Sequence, residues 1–106
     1  MILYALKDLA TDYYVTRADS FDELNEYTKL FSSKSKAERC LKFNYEGLGY
    51  LNNLMVSLVY SILEKKYGVC RGALEVSHKE FVNVADDIKL KVVKVQLNEK
   101  RNKKEE

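Results

Sequence analysis

The residues that most often announce an activity are scarce in this chain of 106 residues: two cysteines, one histidine, four glycines, no proline and no tryptophan. Cys40 and Cys70 match no CxxC pair and make no cluster of zinc ligands with His78, which excludes a zinc site of the usual spacing. Both thiols are expected to be free and buried. Ser77 and His78 suggest a nucleophile beside a base. Adjacent residues on a strand point to opposite faces, however, and no carboxylate is placed to orient the imidazole, so the pair reads as part of a surface turn. Asp86 and Asp87 lack the alternating oxygen ligands of a calcium loop and read as a hairpin turn. Gly47 and Gly49 precede a helix as phosphate-binding glycines do, but the third glycine, the lysine and the preceding apolar strand are missing. Neither a metal nor a cofactor nor a catalytic residue is expected, and the chain reads as non-enzymatic.

Charge of one sign is also lacking. With 18 basic and 16 acidic residues the net charge is +2, which gives little long-range attraction for phosphate polymers. Long apolar runs are absent too. The longest uncharged stretch, residues 47–63, contains Asn52, Asn53, Ser57, Ser61 and two glycines. A spanning helix needs about 20 apolar residues, so no membrane partner is expected. Lys7, Asp8 and Asp12 break any secretory apolar core near the start, and the expected location is a reducing cytoplasm.

What is present builds a core. Apolar residues make up 46% of the chain, enough for one small domain. Leu48, Leu51, Leu54, Met55, Leu58, Val59, Ile62 and Leu63 recur at three- and four-residue steps, the spacing of a helix face, and Gly68 stops that helix after Lys65 and Lys66 have met its negative end. Ahead of it, residues 2–6 and 13–16 predict a β-hairpin. Ser20 and Glu23 have capping-box spacing for a helical turn over 21–27, and residues 29–31 suggest a third strand. Ser32 and Ser33 can cap a shorter helix through Ala37, Cys40, Leu41 and Phe43, with a break over 44–49. Beyond Gly68, strands are expected at 73–76 and 81–84, then at 88–97, where the apolar phase slips between Val92 and Val93 as a bulge would make it slip. The expected fold is α+β: one domain over 1–97, with an antiparallel sheet packed against one long central helix and one shorter helix. The polar residues 98–106 read as a disordered tail.

Two surfaces stand out as binding candidates. Eight tyrosines against no tryptophan suggest contact surface, because tyrosine joins a large ring to a polar tip. Val56, Tyr60 and Tyr67 share a side of the core helix away from its leucines, which predicts a contact with a partner protein or a second copy in a homodimer. Lys34, Lys36, Arg39 and Lys42, together with Lys65, Lys66 and Arg71, form basic stretches for an anionic partner. Tyr45 and Tyr67 are available there as base-stacking platforms for nucleic acid. Glu38, Glu46 and Glu64 oppose that reading. The charge is uneven: residues 1–31 hold three basic and six acidic groups, residues 32–72 seven and three.

Tyr4-Ala5-Leu6-Lys7, Tyr13-Tyr14-Val15 and Lys29-Leu30-Phe31-Ser32-Ser33-Lys34 followed by Ala37-Glu38 resemble the opening of small phage and prophage proteins of Gram-positive bacteria, in which a short sheet leads into a helix. The resemblance covers the first forty residues and brings no catalytic residues with it. It implies a phage protein acting inside a bacterial host, where such small domains block a host enzyme or defence complex, as anti-CRISPR inhibitors do.

Overall fold

In the computed structural model, which describes residues 2–45 and 53–96, the expected hairpin opens the chain. Strand β1 (Ile2–Asp8) runs antiparallel to β2 (Tyr14–Val15), which pairs in turn with β3 (Phe21–Asp22). Asp8 organises the first turn although it is fully buried. Its carboxylate accepts from the backbone of Ala10 and Thr11, from the Thr11 hydroxyl at 2.7 Å and from the Lys89 backbone at 2.7 Å. A buried charge is tolerated when its lone pairs are met in this way. β4 (Leu90–Gln96) pairs antiparallel with β1 along its whole length, so the sheet order is β3-β2-β1-β4.

No bulge interrupts β4: the register runs unbroken from Ile2 opposite Gln96 to Asp8 opposite Leu90. The phase slip at Val92 and Val93 has another cause. Leu90 and Val92 pack with Leu6 in the main core, while Val95, on the opposite face, is buried as well. A strand covered on both faces carries apolar residues at consecutive positions without any change of register. Two other local expectations also fail. Residues 21–27 form no helical turn, because Phe21 is a strand residue only 1% exposed. Residues 29–31 form no strand of their own and contribute a single bridge, Phe31 to Tyr4, beside the bridge of Thr28 to Thr16.

Three helices complete the described residues, not two. Ser33 caps α1 (Lys34–Cys40) as expected, its hydroxyl accepting from the Lys36 backbone, and the chain continues into a π-helical turn, Leu41–Tyr45. α2 (Asn53–Tyr67) ends where Gly68 adopts φ 69°, a left-handed conformation that favours glycine. Leu48, Leu51 and most of the break expected over 44–49 lie outside the described residues. α3 (His78–Asp87) replaces the strand expected at 81–84, and a 3₁₀ turn, Arg71–Ala73, begins the segment expected as a strand at 73–76. Asp86 and Asp87 are therefore the end of a helix, and Ser77 is its cap rather than a turn residue.

α2 is gripped from two sides. Leu58 is fully buried in a cluster with Leu6, Val15, Phe21, Leu41 and Tyr45, with Leu54, Met55 and Ile62 packed against it. Val59 and Leu63 face the other way and meet Ala85, Phe81 and Val84 of α3. Burying one such aliphatic side chain contributes about 1.5–3 kcal/mol, so the packing of both sides outweighs the weak local signals that suggest strands.

Candidate binding surfaces

The chemistry of the buried polar groups is internal. Among the described residues no buried side-chain nitrogen or oxygen lacks a partner, and no group of three histidine, cysteine or acidic residues is placed to hold a metal ion. Ser61, on α2, accepts from the Phe21 backbone at 2.8 Å and donates back to the Phe21 carbonyl, so a helix side chain completes the sheet edge. Thr16 joins Ser20 hydroxyl to hydroxyl at 2.7 Å, which engages the serine expected to cap a helix.

A second cluster joins Asp19, Lys29 and Tyr45. The Tyr45 hydroxyl donates to Asp19 at 2.8 Å, and the Lys29 ammonium donates to both, at 3.0 and 3.2 Å. Burial, reinforced by the Asp19 carboxylate, pushes the Tyr45 phenol well above the usual tyrosine range. A phenol held protonated between a carboxylate and an ammonium is a clasp between the β2–β3 region and the π-helical turn, not a base or a nucleophile. Tyr45 is therefore removed from the set of base-stacking candidates: it is 4% exposed.

The three residues singled out on α2 lie on the side of that helix where α3 and the 3₁₀ turn pack. Val56 is half-buried. Tyr60 is half-buried too, its ring edge-on to Phe81 at 5.6 Å with the Arg71 guanidinium 4.7 Å above it. Tyr67 keeps 47% of its surface. Its hydroxyl donates to the Glu80 carboxylate, which also takes the Lys66 ammonium at 3.1 Å. The Tyr67 hydrogen bond, and then Lys66, hold the Glu80 carboxyl below its ordinary range, while the same bonds to Glu80 raise Tyr67 and Lys66. A signal for α3 does exist in the chain: Ser77 and Glu80 have capping-box spacing, and Phe81, Val84, Ala85 and Ile88 follow at helical steps.

The basic residues divide into two groups. Lys65 pairs with Asp22 at 3.8 Å, Lys66 with Glu80, and Arg71 with Glu64 at 3.8 Å, so the second stretch is largely neutralised within the chain. On α1, Lys34 reaches Glu38 only at 4.0 Å, with both side chains well exposed, and Lys36 donates to Ser32. Arg39 and Lys42 have no acidic partner among the described residues. Beside them Phe43 is 64% exposed, and Lys42 lies over its ring at 5.9 Å. Cys70 is exposed, which corrects the expectation of two buried thiols, and Cys40 is half-buried; both are free. No described helix is long and apolar enough to cross a membrane. Comparison with family models, with curated proteins and with solved structures finds no match for this chain.

Proposed function

We propose that this protein is a non-enzymatic binding module, phage-encoded, that acts by occupying the surface of a host protein and so inhibits a host enzyme or a defence complex such as CRISPR–Cas. One observation carries the reading: among the described residues the buried polar groups are engaged inside the fold, while Tyr27, Phe43 and Tyr67 hold large aromatic surface in water. Aromatic side chains supply much of the energy of protein interfaces. The resemblance of the first forty residues to phage proteins supports the setting. Val56, Tyr60 and Tyr67 form the contact, with Tyr67 as its exposed anchor and Tyr60 as the support that Phe81 and Arg71 hold in place. The contact is made to the host protein or, in a homodimer, to a second copy.

Affinity capture from a bacterial lysate, with and without nuclease, tests this. The expected result is a protein partner that survives nuclease and moderate salt and is lost with Tyr67→Ala. Capture abolished by nuclease and falling steeply with ionic strength overturns the reading in favour of a nucleic-acid-binding accessory protein that uses the basic residues of α1.

A further inference from the structure

We propose that the free edge of β4, with the groove between it and α1, captures an extended acidic peptide segment by strand addition. The inference rests on the reading of the chain as a protein-binding module, but it assigns a face other than that of Tyr67.

The hydrogen bonds around β1 establish which groups are free. Leu9 donates to the Lys89 carbonyl, so odd-numbered residues of β1 bond toward β4. Asp8 donates to Tyr13, and Tyr4 exchanges both backbone bonds with Phe31, so even-numbered residues bond toward the other side. Carried along the register, this places the backbone of Lys91, Val93 and Val95 on β1. The backbone groups of Leu90, Val92, Lys94 and Gln96 then point outward, and β4 is the last strand of the sheet among the described residues.

An open edge alone says only that the sheet stops, and lysines such as Lys91 and Lys94 are a common guard on such edges. The groove supplies the second observation. Lys34, Glu38, Lys42 and Lys91 line about 470 Å³ of space beside the edge with an apolar floor of Leu41, Leu90 and Val92, the Lys91 side chain leaving β4 on the face opposite to Leu90 and Val92. Among the described residues the one acid there is Glu38, exposed and at the limit of ion pairing with Lys34. Three lysines against one glutamate give the described lining a net positive charge, which favours an anionic occupant.

A peptide fits this combination. Its backbone presents donors and acceptors at the strand repeat of about 3.4 Å per residue, and its alternate side chains fall on opposite faces, so an apolar set continues the face of Leu90 and Val92 while an acidic set continues the face of Lys91. A second copy of this chain brings the same lysine rim with it, so like charges oppose self-pairing. Phosphates of a nucleic acid satisfy the lysines but use neither the backbone edge nor the apolar floor.

The test is fluorescence polarisation of the full chain with a labelled seven-residue peptide alternating Glu and Val. Comparators are the same peptide with Lys for Glu, two versions N-methylated on one or the other set of alternate amides, and single-stranded oligo-dT. The acidic peptide is expected to bind at least about tenfold more tightly than the lysine peptide, and Lys42→Glu with Lys91→Glu to reverse that preference. Methylation of one amide set abolishes binding while the other is tolerated, because only one edge of an added strand faces β4. Tyr67→Ala leaves the peptide affinity unchanged. Circular dichroism checks the fold of the charge-reversed protein, and Lys42→Gln with Lys91→Gln replaces it if it is destabilised. Equal binding of both charges, or indifference to methylation on either edge, overturns the proposal. So does oligo-dT binding through the same lysines in a protein that ignores the peptide. If the peptide fails while lysate capture still depends on Tyr67, strand addition falls and the binding module stands. Peptide binding that meets these expectations, with no protein captured through Tyr67, upholds strand addition and removes the Tyr67 contact.

Discussion

Ser61 stands on a helix and completes a sheet. Its hydroxyl serves both backbone groups of Phe21 in β3, so Ser61→Ala leaves a buried donor unmet and is expected to cost about 1–3 kcal/mol in urea unfolding. Leu58 acts through volume instead. Fully buried in the main core cluster, it is expected to lose about 2–5 kcal/mol on Leu58→Ala, through lost transfer energy and the cavity left behind. Tyr45 adds a pH dependence. Its phenol is raised above the ordinary value near ~10, so the unfolded chain releases that proton first. The stability it contributes is complete below about pH 10 and declines as pH rises beyond it. Tyr45→Phe is expected to flatten that alkaline decline, read as thermal midpoint against pH, while losing the bond to Asp19.

At the scale of elements, α3 shows how two equal local signals diverge. Ser20 with Glu23 and Ser77 with Glu80 have the same spacing, yet only the second begins a helix. After Ser77 the apolar residues continue at helical steps and cover Val59 and Leu63; after Ser20, Phe21 is required by the sheet core and its backbone is held by Ser61. Ser77→Ala is expected to cost about 1 kcal/mol, the usual loss of a cap. Tyr60 and Tyr67 should separate experimentally. Tyr60→Ala removes an aromatic pair to α3 and is expected to lower stability by about 1–2 kcal/mol, whereas Tyr67→Ala, on an exposed side chain, should stay within about 0.5 kcal/mol while abolishing partner capture. Denaturant midpoints for both variants, set beside the lysate capture, check this division.

Across the whole molecule, the uneven charge of the chain is mostly reconciled in the fold. Lys65 with Asp22 joins a basic segment to the acidic first third, and Lys66 and Arg71 find Glu80 and Glu64. Within that basic segment, Lys36, Arg39 and Lys42, on α1 and the turn after it, are left without an acidic partner among the described residues. Deleting residues 98–106, which offer no apolar side chain, is expected to leave the thermal midpoint nearly unchanged in a melting experiment.

Wherever a feature depends on neighbours in the chain, the sequence determined it. The hairpin, the Ser33 cap, the stop at Gly68 and the apolar stripe of α2 are all legible from spacing, because turns, caps and helix faces are satisfied within a few residues. The binding candidates were legible only as residues: Tyr60, Tyr67 and the lysines are plain in the chain, but which of them find an internal partner is not. Tertiary structure decided that, as it decided that residues 81–84 are helix and that β4 needs no bulge. Burial against α2 and on both faces of the sheet is a contact between distant segments, and its free energy exceeds the local preferences that periodicity reads.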